Sequence, residues 1–157
     1  MAINLNNSLP AAPAGSTNVL WQEDTSGNVS AYTSGAPVVT TSSVDLTGQT
    51  ANISGTNLIA APTAGCYRIS VYIAVTTAGG SSSTLPATVF TWNDQQSGHA
   101  MSLTLTPTNS GDSLGTFQDA VGFISCNTSA IQYSTTGYVS AGSPQMAYAL
   151  HIRIEQM

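Results

Sequence analysis

"AGCYRISVYIAV", residues 64–75, is the stretch on which the reading of the fold turns. Tyr67, Ile69, Val71, Ile73 and Val75 alternate with Arg68, Ser70, Tyr72, Ala74 and Thr76. A repeat of two is the spacing of a strand with one buried face, because successive side chains leave a pleated backbone on opposite sides. The same spacing returns near the C-terminus. There Met146, Tyr148, Leu150, Ile152 and Ile154 alternate with Ala147, Ala149, His151, Arg153 and Glu155. No window sustains the i, i+3, i+4, i+7 recurrence of an amphipathic helix.

Outward from these two segments, short runs are punctuated by Gly, Pro, Asn and Asp. "ATVFTWND" (87–94), "AMSLTLTP" (100–107), "TFQDAVGFISC" (116–126) and "AIQYSTTGY" (130–138) read as strands, with Met101, Leu103 and Leu105 facing one way. "TAGGSSSTLP" (77–86) reads as a flexible Gly/Ser loop. "NVLWQEDTSGNVSAYT" (18–33) reads as a hairpin about Asp24-Thr25-Ser26-Gly27. Residues 1–17 hold Pro10 and Pro13, show no periodicity and read as an extended arm. Many short strands with regular turn signals make the chain all-β, a sandwich or barrel over residues 18–157.

Composition narrows the function. Charged residues are 6% of the chain, against about 25% in typical domains. There is no lysine, and Arg68 and Arg153 are the only strong cations in a chain of net charge -5. Nucleic-acid binding draws its affinity from cations on phosphates, so two arginines in an acidic chain exclude it. An anionic membrane surface is disfavoured for the same reason, and no run approaches the roughly 20 apolar residues of a membrane span. The opening "MAINLNNSLPAAPAG" lacks the basic start and apolar stretch of a secretion signal, so cytoplasmic synthesis is expected.

Candidate chemistry is sparse. His99 and His151 belong to no recognisable motif, and a lone strand histidine reads as a hydrogen-bonded structural residue. The carboxylates Glu23, Asp24, Asp45, Asp94, Asp112, Asp119 and Glu155 are scattered, mostly in turn contexts. "ND" at 93–94 and "SGD" at 110–112 do not supply the six to eight oxygens calcium takes, so no metal site is read. Cys66 and Cys126 read as buried free thiols, ahead of a disulfide or a metal pair. Trp21 and Trp92 read as core or interface anchors ahead of sugar-stacking platforms. No nucleophile, base and orienter come together, so neither an enzyme nor a cofactor is expected.

At "LIAAPTAGCYRISVYIAV" the sequence resembles the tumour-necrosis-factor-like and complement-head jelly rolls. Pro62, Gly65 and Tyr67 hold the places of their Pro, Gly-x-Tyr signature, and Ile69, Val71 and Ile73 continue the buried side. From "LPAAPAGSTNVLWQEDTSGNVSAYT" onward, nearly the whole chain resembles small structural proteins of tailed bacteriophages. It shares their Pro/Ala/Gly-rich arm, the "WQ-x-D-x-SGN" hairpin and the lysine-free Ser/Thr-rich strands.

This resemblance implies a jelly-roll β-sandwich that forms a homotrimer. It also implies a virion role, as a capsid decoration or cement protein on the outer head surface, made in the host cytoplasm. The alternatives are the receptor-binding tip of a tail fibre and a carbohydrate-binding module. In such a fold the strand at 66–76 and the closing strand are sheet neighbours. Arg68, Tyr72, Ala149, His151 and Arg153 then share an outward face, an Arg- and Tyr-bearing makeup suited to a trimer interface. Glu155 or Asp119 is expected to offset the two arginines. The arm is expected to hold the major capsid protein, with Leu5, Leu9, Pro10 and Pro13 filling shallow pockets along an extended backbone.

Overall fold

The computed structural model describes Leu20–Glu23, Val29–Tyr32 and residues 42–157. The chain divides into two compact units, Met1–Val38 and Val39–Met157. In the first, β1 (Leu20–Glu23) pairs antiparallel with β2 (Val29–Tyr32), Leu20 opposite Tyr32 and Glu23 opposite Val29, the pairing expected of a hairpin. Leu5, Leu9, Pro10 and Pro13 lie outside the described residues.

The second unit is all strand and turn. Its elements are β3 (Ser42–Gln49), β4 (Thr56–Ile59), β5 (Gly65–Thr77), β6 (Ser81–Leu85), β7 (Ala87–Asn93), β8 (Ala100–Thr106) and β9 (Asn109–Ser110). These are followed by β10 (Phe117–Cys126), β11 (Ile131–Thr136), β12 (Val139–Ala141) and β13 (Ala147–Gln156). Among the described residues two sheets of four strands carry the architecture, ordered β10-β5-β13-β3 and β4-β11-β7-β8, with every pairing antiparallel. Apart from β7 and β8, which pair in one sheet, the chain passes back and forth between the two large sheets, and β13 inserts between β5 and β3. This is a jelly-roll sandwich. A small third sheet, β12-β6-β9, adjoins them.

The alternation that identified β5 and β13 fills the core. Tyr67, Ile69, Val71 and Ile73 from β5 and Tyr148, Leu150, Ile152 and Ile154 from β13 are buried and belong to one cluster. Leu58, Phe90, Ile131 and Tyr133 of the second sheet join it, with Ile124 and Cys126 from β10. Most polar atoms carried inward are paired, the buried Gln118 Oε1 being the exception among the described residues. Tyr67 donates its hydroxyl proton to the Thr63 carbonyl at 2.7 Å, Tyr148 donates to Ala51 O at 2.8 Å, and the buried Thr88 and Thr106 hydroxyls bond each other. Burial pushes the Tyr67 and Tyr148 phenols above their ordinary value of 10.0.

The sequence reading of residues 77–86 as a flexible loop is corrected. Ser81–Leu85 is strand β6, paired with β9 and β12, and Gly79 and Gly80 donate backbone hydrogen bonds to Gly111 O and Pro144 O. The two glycines serve close packing. A Cβ on Gly80 would stand 2.7 Å from the Ser143 backbone nitrogen, and one on Gly79 would stand 2.5 Å from Ser83 Cβ.

Candidate functional site

The outward face of the β10-β5-β13-β3 sheet gathers the residues the sequence singled out. The register sets them in rows across the strands. Asp119, Tyr72, His151 and Asp45 form one row, and Val121, Ser70, Arg153 and Ser43 form the next. Phe123, Arg68 and Glu155 form a third, and Phe117, Ala74 and Ala149 a fourth. Arg68, Tyr72, His151 and Arg153 therefore share one face, as expected. Ala149 lies in the same set but is covered by its neighbours, 5% exposed.

The polar half of the face, toward β3, is a cluster about Asp45. His151 Nδ1 donates to Asp45 Oδ1 at 2.7 Å, and Arg153 Nη1 lies 3.1 Å from Oδ2. The hydrogen bond from His151, then that from Arg153, holds the Asp45 carboxyl below its ordinary value of 3.8. Arg68 pairs with Glu155 directly across the strands. Glu155 thus offsets one arginine, as the sequence indicated. The partner of the other is Asp45 and not Asp119, because β3 brings Asp45 beside β13 while Asp119 lies on β10, opposite Tyr72. A shallow open depression of about 380 Å³ runs over Asp45, Ser70, Tyr72, His151 and Arg153.

The other half of the face is apolar. Phe117, Val121 and Phe123 of β10 are 54%, 57% and 63% exposed, and Tyr72 beside them is 43% exposed. The Tyr72 and Phe117 rings stack with centroids 5.7 Å apart. Two of the three phenylalanines in the chain therefore stand in solvent, while Phe90 is buried. The cause lies on the inner side of β10. Gly122 is buried under the opposite sheet, where a Cβ would come 2.6 Å from Leu105 Cδ2 and 3.0 Å from Leu103 Cδ2. With Gly122 facing in, period-two geometry sends Phe117, Val121 and Phe123 out. The sequence reading did not single these three out. The available signal was a strand whose large apolar residues share a face opposite a glycine.

The remaining candidates have structural placements. Asp94 Oδ1 accepts from the backbone N–H groups of Gln96 and Ser97 and from the Ser97 hydroxyl, which holds its carboxyl below the ordinary value and commits it to a turn. Trp92 is half-buried against the core and donates its indole N–H to Ser125 O at 2.9 Å. The expectation of two buried thiols is corrected, because Cys66 is exposed and only Cys126 is buried. In the β5–β10 register Cys66 opposes Ser125 and Cys126 opposes Gly65. One step of register puts the two sulfurs on opposite faces, and both are free. Burial pushes the Cys126 thiol above its ordinary 9.0. No helix among the described residues is long and apolar enough to cross a membrane.

No protein-family model matches the chain, and no curated protein does. Solved structures with a similar chain path include the CBM22-1–GH10 modules of a Clostridium thermocellum endo-1,4-beta-D-xylanase complexed with xylohexaose. That match has 12% identity and TM-score 0.39, over 89% of this chain and 24% of that one. A Bacillus endospore appendage, one of a family of disulfide-linked pili, matches at 11% identity and TM-score 0.34, over 96% of this chain and 98% of that one. A protein of infectious bursal disease virus, Gt strain, matches at 14% identity and TM-score 0.41, over 97% of this chain and 38% of that one. This chain thus spans about a quarter of the xylanase chain and well under half of the viral one. With no TM-score above 0.41, none of the three transfers a ligand, substrate or partner to this chain.

Proposed function

We propose that this protein is a structural virion protein of a tailed bacteriophage. It is a homotrimeric capsid decoration or cement protein, held to the major capsid protein on the outer head surface by its N-terminal arm, with no catalytic role. The observation that carries the reading is the outward face of the β10-β5-β13-β3 sheet. It concentrates exposed aromatic side chains and both arginines of the chain on one surface. Aromatic and Arg enrichment marks surfaces that meet another protein. The resemblance in the arm, the hairpin and the Pro62/Gly65/Tyr67 signature supports the viral setting.

The test is the copy number in purified particles. Abundance comparable to that of the major capsid protein supports decoration, whereas abundance comparable to that of tail fibres would move the protein to a fibre tip. A second arm removes residues 1–15. The shortened protein should stay folded and trimeric but no longer decorate empty shells, and full occupancy by it would place attachment on the sandwich.

A further inference from the structure

We infer that the apolar half of this face, Phe117, Val121 and Phe123 on β10 with Tyr72 on β5, is the contact core through which copies of this chain pack on one another. The ion-pair half toward β3 is the rim of that contact. The inference deepens the self-association in the proposed function and rests on it. It also moves the centre of the contact away from the arginines.

Three observations favour a second copy as the occupant. The first is extent. Phe117, Val121, Phe123 and Tyr72 together expose roughly 400 Å² of largely apolar surface, inside the range of the largest patch on a typical monomer. The three β10 residues run along one strand face over about 20 Å, with Asp119 between Phe117 and Val121 and Tyr72 beside them on β5. A stable interface takes about 800 Å² from each partner, so the stripe supplies about half and the polar rows supply the surround.

The second is charge. The face holds both arginines and three of the seven carboxylates, Asp45, Asp119 and Glu155, and so carries one of the five net negative charges of the chain. Within the sandwich unit Asp94 and Asp112 lie off this face with no strong cation to answer them. A second copy of this acidic chain that approaches by this face brings one net negative charge against one, so the repulsion to overcome is small.

The third is the state of the polar groups. Arg68 with Glu155, and Arg153 and His151 with Asp45, are already partnered within the chain. They need no counter-charge from a partner, and they can be covered at a rim without leaving an unpaired ion. Aromatic contacts at the centre with satisfied polar groups around them is the usual anatomy of a protein–protein contact, and Asp119, exposed between Phe117 and Val121, is the one carboxylate of the face outside these pairs.

Sedimentation of the full chain, wild type against the double variant Phe117→Ser/Phe123→Ser, tests this. The wild type should associate at micromolar concentrations. The double variant should need at least tenfold higher concentration to associate, with circular dichroism unchanged because both positions are exposed, and with a melting temperature equal to that of the wild type at concentrations where both are monomeric. Met101→Ser, an exposed apolar site on the other sheet, serves as the control and should associate as wild type does. If the double variant fails to fold, hydrogen exchange of the wild type decides, since β10 amide protection should rise with protein concentration.

A monomeric wild type, a double variant that associates normally, a Met101→Ser variant equally impaired, or concentration-independent β10 exchange would each overturn the inference. A wild type that is monomeric in solution yet binds shells gives the face to the capsid instead, and leaves decoration standing. Normal self-association with no binding to shells does the reverse.

Discussion

Asp45 is the residue that organises the polar rows, and it does so from a strand with little else to recommend it. Its neighbours in "SSVDLT" are unremarked polar and aliphatic residues, and its donors come from 106 and 108 positions away. All three side chains are well exposed, so solvent screens the pairing and its effect on stability is small. The sign is still testable. Asp45 has a folded-state pKa below its ordinary 3.8. A lowered carboxylate contributes stability above the unfolded value and loses it as pH falls through the folded value. Asp45→Asn should therefore be slightly less stable than wild type at neutral pH, with the gap closing on acidification below pH 3.8. Denaturant midpoints across a pH series read this directly, and a gap that widened in acid would contradict it.

Among the strands, glycine placement separates what the sequence revealed from what it concealed. In β5 and β13, large β-branched and aromatic residues alternate with small or polar ones, so both their existence and their buried sides were legible. Strand β6 was not, because "GGSSSTL" has the composition of a linker, and only the packing of Gly79 and Gly80 against Ser83 and Ser143 shows why glycine is needed. In β10 the strand was legible, and the spacing put Phe117, Val121 and Phe123 on the side opposite Gly122, but which side is buried is decided by Leu103 and Leu105 of the other sheet, which leave Gly122 no room for a side chain.

These glycines differ in what an added methyl would strike. On Gly80 it meets backbone, the Ser143 nitrogen at 2.7 Å and its carbonyl oxygen at 2.8 Å, which cannot step aside. On Gly122 it meets the flexible ends of two leucines. Gly80→Ala should cost about 1–3 kcal/mol of unfolding free energy, with Gly122→Ala the milder of the two. Equal losses in chemical denaturation would mean that the leucines are as rigid as the backbone.

For the molecule as a whole, the governing feature is the position of β13 between β5 and β3. Its bond to Asp45 closes a span of 106 residues, and the Arg68–Glu155 pair closes one of 87. Contacts this distant reward the chain only after most of its loop-closure entropy has been spent, which places refolding in the millisecond-to-second range rather than microseconds. Stopped-flow tryptophan fluorescence after dilution from denaturant should show this, and a microsecond relaxation would contradict it. Until β13 arrives, β5 and β3 each hold a row of unsatisfied N–H and C=O groups, and unpaired strand edges of this kind recruit other chains. The strand that seals the finished sheet thus also sets a window of stickiness during synthesis. Lesions in β13 will be felt first as inclusion bodies and chaperone demand, before any fault in the protein that does fold.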